Sequence, residues 1–246
     1  MVSLVLLTID RYEMTRDVLD QNLARAGYPF ELLVADNGSQ DRRVIDYIQS
    51  LGPAVHILNR ENKGVARMLN VLYKLSQGQY ICTLAPDIRM PDQWLARLVE
   101  TYQRVPNAGA ASFHCVESPG VPTEVAPGVV VDLAGNIFGP MFISRRVLDW
   151  VGYYNEMFNP YGMEDADYHA RLAMAGLVSF YIHGDRCEHL GHDWGEDSDY
   201  RRGKDKALAA SAAKWGTNLE AYRRTGRYHI DAGGQFIIDQ QQFFQL

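Results

Sequence analysis

Acids, amides and a glycine gather at four places in this chain, each where an apolar, β-branched run stops. Ser3 to Thr8 leads into Thr8, Asp10 and Arg11, and Phe30 to Ala35 leads into Asp36, Asn37, Gly38, Ser39 and Asp41. Val55 to Leu58 leads into Asn59, Asn62, Lys63 and Gly64, and Tyr80 to Leu84 runs on to Asp87. Backbone needs alone explain any one of these turns, because Asn, Asp, Gly and Ser suit tight turns. Four in succession, each after a strand, point to a ligand beyond the carboxyl edge of a parallel sheet, where open α/β sheets bind.

The type of ligand is narrowed by what the turns lack. No Gly-rich dinucleotide fingerprint follows the first strand, and no loop ending in Gly-Lys-Ser/Thr is present, which disfavours a dehydrogenase or a P-loop NTPase. A Gly-x-Ser-x-Gly elbow for acyl transfer is also missing. A diphosphate bound without a cradling loop needs a cation, and Asp87 is a hard oxygen ligand suited to Mg²⁺ or Mn²⁺. Further on, Met163-Glu164-Asp165-Ala166-Asp167 places three acids in four residues at the start of a helix. A helix dipole favours acids there. Three neighbouring carboxylates also repel one another, which asks for a metal, a base or a basic partner as the reason. His189 and His192 follow in Cys187-Glu188-His189-Leu190-Gly191-His192; one of them can reach a metal, His192 reads as a surface histidine, and the spacing is too tight for a zinc finger or ribbon.

The elements that must position these groups alternate. An i, i+3, i+4 stripe of Val18, Leu19, Asn22, Leu23 and Ala26 predicts a helix closed by Gly27. Val44, Ile45, Ile48 and Leu51 predict a second, capped by Asp41. Helices carrying Val65 to Leu75 and Trp94 to Tyr102 follow the third and fourth strands. This alternation implies parallel strands covered on both faces. In the second half, Pro119, Gly120, Pro122, Pro127 and Gly128 predict a long mobile loop before the apolar segments Val129 to Leu133 and Ile137 to Ile143. A short helix near Val147, a helix from about Asp165 to Ala175 and a strand from Val178 to His183 complete the core. The tail from Asp199 reads as helical, with basic patches at Arg201, Arg202, Lys204, Lys206, Arg223, Arg224 and Arg227.

Composition sets bounds. With 246 residues, 47% hydrophobic, the chain can bury the core of one large α/β domain. A net charge of −6 works against non-specific coating of nucleic acid, which needs Lys and Arg on phosphates. Val2 to Leu7 is too short for a secretory h-region, and no apolar run is long enough to span a bilayer. Cys82, Cys115 and Cys187 are odd in number and far apart, so no disulfide framework is expected and a reducing, cytoplasmic setting fits.

A set of ordered fragments carries a resemblance. They are Leu4 to Thr8 with Arg11, Val34 to Asp41, Asn59 to Ala66 with Asn70, and Leu84-Ala85-Pro86-Asp87. Beyond these come Gly139 before Ser144-Arg145-Arg146, Val151 to Phe158, Glu164 to Asp167 with Arg171 and Gly176, then His189 and Lys214-Trp215-Gly216. In order and spacing they resemble family-2-type glycosyltransferases of GT-A fold, over roughly Val2 to Gly216. The resemblance implies an α/β, Rossmann-like fold with a mostly parallel central sheet flanked by helices. Residues 1–198 would form the glycosyltransferase domain, with 1–114 the nucleotide-binding half and 115–198 the acceptor and catalytic half. Residues 199–246 would be a helical C-terminal extension packed on it.

The resemblance also implies a metal-dependent, inverting transfer from a nucleoside-diphosphate sugar, UDP by family habit, to an acceptor hydroxyl, with Mn²⁺ or Mg²⁺ bound. Thr8 and Asp36 would contact the nucleobase, Asn62 and Gly64 the ribose and diphosphate, and Asp10, Arg11, Asn37, Asn70 and Pro86 would complete the donor site. Asp87 would bind the metal, and His189 the metal or the diphosphate. Asp165 would be the general base, with Glu164 orienting the acceptor. Saccharide, lipid-linked sugar, protein and modified nucleic acid all remain open as acceptors. One departure stands out: the family has Asp-x-Asp where this chain has Ala85-Pro86-Asp87, which keeps a non-catalytic nucleotide-sugar-binding module as the alternative. A nucleotidyltransferase is a third reading.

Overall fold

The computed structural model describes residues 1–115, 120–137, 139–191, 206, 209, 228–230 and 236–238. The first half repeats one unit: β1 (Val2–Thr8), α1 (Tyr12–Ala24), β2 (Phe30–Asp36), α2 (Arg42–Ser50), β3 (Val55–Leu58), α3 (Val65–Leu75) and β4 (Tyr80–Leu84). A two-residue β5 (Ile88–Arg89) and α4 (Trp94–Arg104) follow. Then come β6 (Ala108–His114), β7 (Val121–Ala126), β8 (Val129–Ala134), β9 (Met141–Ser144) and α5 (Arg145–Val151). A 3₁₀ turn (Glu156–Phe158), α6 (Glu164–Met174), β10 (Val178–Arg186) and β11 (Glu188–His189) lead to the last described pair, β12 (Tyr228–Ile230) and β13 (Phe236–Ile238).

Among the described residues, nine strands form the main sheet in the order β3-β2-β1-β4-β9-β6-β10-β8-β7. β1 pairs in parallel with β2 and β4, and β2 with β3, so the turns after all four strands lie along one edge. Buried side chains of β1 alternate between two cores. Leu4 and Leu6 pack with Trp94 and Phe142, and Val5 packs with Leu69 and Tyr168 on the other face. With both faces covered, such a strand reads as an unbroken apolar run. Asp41 caps α2 as expected, accepting the Arg43 N–H at 3.0 Å.

The second half departs from an all-parallel sheet. β9 runs antiparallel to β4 and β6, and β8 antiparallel to β10 and β7, while β6 and β10 are parallel. A parallel neighbour needs a crossover, and no helix separates β6 from β9 among the described residues. β6 carries no strand signature because Ala108-Gly109-Ala110-Ala111 lacks β-branched residues. β7 lies within the segment expected to be a loop. It ends the strand order, and an edge strand tolerates the missing N–H of Pro122.

Two further expectations need correction. Cys115 and Cys187 form a disulfide, 72 residues apart in sequence with Cα atoms 4.8 Å apart. Unpaired cysteines, and the reducing compartment argued from them, therefore lose their ground; only Cys82, buried, is free. Sequence distance concealed the pair, since β6 and β10 are neighbours in the sheet. In the expected helical tail, β12 and β13 pair antiparallel, so those residues are strand. His192, Lys214-Trp215-Gly216 and all of the basic tail positions except Lys206 lie outside the described residues. No helix among the described residues is long and apolar enough to cross a membrane.

Candidate active site

Two adjoining cavities open over the carboxyl ends of the parallel strands. The first, about 550 Å³, takes Thr8, Arg11, Asn37, Asn62, Pro86 and Asp87 into its walls. The second, about 400 Å³, shares Val65, Leu69, Thr83, Ala85, Asp87 and Tyr161 with the first and adds Glu164, Asp165, His169 and His189. Residues at the ends of four strands and at the start of α6 are thereby brought to one place.

The donor-side residues expected from sequence divide into those that line the first cavity and those that brace it. Asp36 is a brace: it is 1% exposed. One carboxylate oxygen accepts the Gly38 and Ser39 N–H groups at 3.1 and 2.9 Å, and the other accepts the hydroxyls of Ser39 and Thr8 at 2.5 and 3.3 Å. That carboxylate is occupied by its own turn, and it is the next residue, Asn37, that borders the cavity. Asp10 is engaged in the same way, accepting the Gln40 and Asp41 N–H groups at 2.7 and 2.9 Å. Asp10 and Arg11 both have positive φ, and this sharp bend delivers Arg11 to the wall.

Asn37 and Asn62 tie two of the turns together, with Asn37 Nδ2 donating to Asn62 Oδ1 at 2.7 Å and Asn37 Oδ1 accepting the Lys63 N–H at 2.9 Å. Gly64, at φ 89° and ψ 155°, starts α3 where only a glycine fits. A Cβ there would lie 2.3 Å from Asn159 Oδ1, and the adjacent Val65 N–H donates to the Pro160 carbonyl at 2.9 Å. Asn70 is in the wall of neither cavity. Its amide clamps the backbone of Tyr154, donating to the carbonyl and accepting the N–H at 2.9 Å each.

Asp87 is the corner common to both cavities. β5, directly after it, pairs with β11, so His189 stands opposite Ile88, and the Leu190 N–H donates to the Asp87 carbonyl at 2.9 Å. His189 Nε2 lies 3.3 Å from Asp87 Oδ2. Two adjacent ligands of an octahedral ion, each at about 2.1 Å, stand about 3.0 Å apart, so this spacing fits a shared divalent cation. One oxygen and one nitrogen donor with a cavity beside them leave positions for diphosphate oxygens and water, which suits Mn²⁺ or Mg²⁺. Three such protein side chains do not converge anywhere among the described residues.

The acid cluster at α6 is split by the helix. Glu164, 9% exposed, and Asp165 border the second cavity. Asp167, fully buried, pairs with Arg171 at 2.9 Å, and that guanidinium also donates to the carbonyls of Val151 and Tyr153. Asp167 thus holds α6 to the end of α5 and takes no part in the cavity. His169 was not singled out by sequence, although its i+4 spacing from Asp165 puts it on the same helix face. It lines the second cavity, its Nδ1 lies 2.9 Å from Ser179 Oγ, and burial pushes its pKa down to about 3, so the ring is neutral. Tyr154 lines the same cavity; burial and then the neighbouring Tyr73 drive its phenol well above the ordinary value, keeping it protonated.

The profile of glycosyl transferase family 2 matches residues 3–125, half of the chain. The chain belongs to glycosyl transferase family 2. Among curated proteins, this family 2 member is 28% identical over 113 residues to the glucosyl-dolichyl phosphate glucuronosyltransferase of Haloferax volcanii. That match spans 44% of this chain and 36% of the relative, so it spans about a third of the length of the curated relative. Among solved structures, the mannosyltransferase PcManGT from Pyrobaculum calidifontis, in complex with GDP-Man and Mn²⁺, has a TM-score of 0.62 at 17% identity, covering 90% of this chain and 64% of that one. S. aureus TarS with UDP-GlcNAc has a TM-score of 0.60 at 15% identity, covering 79% and 59%. GalNAc-T7 with UDP, GalNAc and Mn²⁺ has a TM-score of 0.64 at 13% identity, covering 92% and 51%. These likenesses establish the GT-A fold of the family 2 domain.

Proposed function

We propose that this family 2 member transfers a sugar from a nucleoside-diphosphate donor to an acceptor hydroxyl, with inversion at the anomeric carbon and with Mn²⁺ or Mg²⁺ bound at Asp87 and His189. The observation that carries the reading is that Asp87 borders both cavities whereas Glu164 and Asp165 border only the second. The first cavity receives the nucleoside and diphosphate, the second receives the acceptor, and the bond to be broken lies between them. A divalent ion, when bound, offsets charge that grows on the departing diphosphate. Asp165 accepts the proton of the acceptor hydroxyl as that oxygen bonds to the anomeric carbon and the carbon–diphosphate bond breaks. Glu164, beside it, orients the acceptor. A base across the reaction centre from the leaving group requires inversion.

Uridine donors are the first to test, by family habit and because the TarS and GalNAc-T7 structures hold UDP-GlcNAc and UDP; GDP-Man in PcManGT makes guanosine donors the second series. The Haloferax relative's name includes glucosyl-dolichyl phosphate, so a lipid-linked sugar is the first acceptor to try. Asp165→Asn is expected to lower turnover by about 10²- to 10⁴-fold, the usual worth of a general base, while the thermal shift given by donor with Mn²⁺ stays as in the unaltered protein. Near-normal turnover would remove Asp165 from that role. A second reading, a nucleotide-sugar-binding module without turnover, is favoured by Ala85 and Pro86 on the cavity wall where the family pattern starts with an acid. Sustained donor consumption with metal and acceptor excludes it.

A further inference from the structure

The Cys115–Cys187 disulfide lies outside the chemistry described so far, yet both of its ends meet the site. Cys115, directly after β6, is part of the wall of the second cavity. Cys187, 8% exposed, lies two residues before His189. Gly139, on the same wall, packs against the bond: a Cβ on it would lie 2.6 Å from Cys115 Sγ.

The strap from Cys187 to Leu190, which continues β10, is held to the rest of the fold by several non-covalent ties. β11 contributes two residues to a two-stranded ladder with β5. The Glu188–Arg89 ion pair, at 3.2 Å, is exposed on the Glu188 side. Two backbone bonds join them, Cys187 N–H to the His114 carbonyl at 2.8 Å and Leu190 N–H to the Asp87 carbonyl at 2.9 Å, as does the His189–Asp87 contact at 3.3 Å. A two-residue ladder is weak alone and belongs to the low-stability end of a fold. The covalent link to β6, a strand interior to the main sheet, is therefore the strongest anchor of the segment that carries His189.

We propose that the Cys115–Cys187 disulfide is a redox-responsive tether that sets how firmly His189 is held against Asp87, and hence the affinity of the site for a divalent cation. The proposal rests on the assignment of Asp87 and His189 as metal-binding residues. A dithiol such as dithiothreitol reduces the bond by supplying two electrons and two protons; it leaves two cysteine thiols and becomes a cyclic disulfide itself. The strap then keeps only its non-covalent ties. Groups that merely support a metal ligand are worth about 10- to 100-fold in metal affinity, and a loss of about 10-fold is expected here because the backbone bonds remain.

The test measures Mn²⁺ binding by calorimetry on the full chain, oxidised and then reduced with dithiothreitol, with free thiols counted in each state. Hydrogen exchange at residues 187–190 is followed alongside. Reduction is expected to weaken Mn²⁺ binding about 10-fold and to speed exchange of the Leu190 amide, both reversed by reoxidation with a glutathione disulfide. The double variant Cys115→Ser, Cys187→Ser is expected to match the reduced protein and to ignore the reductant; the reversible reduction keeps the test valid even if that variant folds poorly. Equal Mn²⁺ affinity or equal exchange in the two redox states overturns the tether and leaves the metal assignment standing. An oxidised protein that binds no Mn²⁺ overturns both.

Discussion

Replacing Gly64 with alanine should separate backbone strain from a clash at the donor cavity. Gly64 has φ 89° and ψ 155°, a region open essentially to glycine alone, and forcing a side chain into it costs about 1–3 kcal/mol. The new methyl would also sit 2.3 Å from Asn159 Oδ1 and 2.7 Å from its Cγ, so the Asn159 amide must move. Moving it breaks the Arg67 N–H bond to Asn159 Oδ1, 3.3 Å, and strains the Val65 N–H bond to Pro160, 2.9 Å, each worth about 1 kcal/mol. The sum is about 3–5 kcal/mol, which for a chain of this size lowers Tm by roughly 10–15 °C. Pro160 and Tyr161 line the first cavity, so the displaced segment should also weaken donor binding. Differential scanning fluorimetry with and without UDP and Mn²⁺ measures both effects. Gly128→Ala is the control, because at φ 68° it has nothing within 4 Å of its Cβ and bears only the conformational cost. Equal Tm losses in the two variants, with the donor shift unchanged at Gly64→Ala, would refute the reasoning.

Asp87→Ala removes a carboxylate but leaves the Leu190 N–H bond to the backbone carbonyl, so the fold should persist while Mn²⁺ affinity drops by about 100-fold or more; calorimetry beside circular dichroism separates the two. His169 predicts the acid response. Its folded pKa, pushed down to about 3 by burial, lies below the roughly 6.5 of an unfolded histidine, so only the unfolded chain takes up this proton between those values. Stability then falls with pH below about 6.5, by roughly 2 kcal/mol at pH 5 from this ring alone. His169→Gln should flatten that part of the curve in urea titrations at pH 7 and pH 5, and a slope identical to that of the unaltered protein would show the ring is not held neutral.

Local pattern was enough to locate the first half of this protein. β3, α3's extent and β4 follow directly from apolar runs bounded by turn residues, and Asp41 before Val44 announces its helix cap, because these features depend on neighbours within a few positions. The same pattern identified the polar strand ends, and a parallel sheet necessarily sets them along one edge. Tertiary structure decided which of those residues border the cavities. Asp36 and Asn37 are adjacent in sequence and equally polar, yet one closes its own turn and the other borders the cavity. Asn70 spends its hydrogen-bonding capacity on Tyr154, and Asp167 pairs with Arg171, whose guanidinium reaches the carbonyls of Val151 and Tyr153; Tyr154 and those carbonyls lie outside any local window. β6 and β7 were hidden by alanines and prolines whose strand conformation is imposed by their sheet neighbours. The Cys115–Cys187 pair and the meeting of Asp87 with His189 arise for one reason: pairing of β10 with β6 and of β11 with β5 closes long loops, and burial across the whole sheet supplies the free energy for that closure.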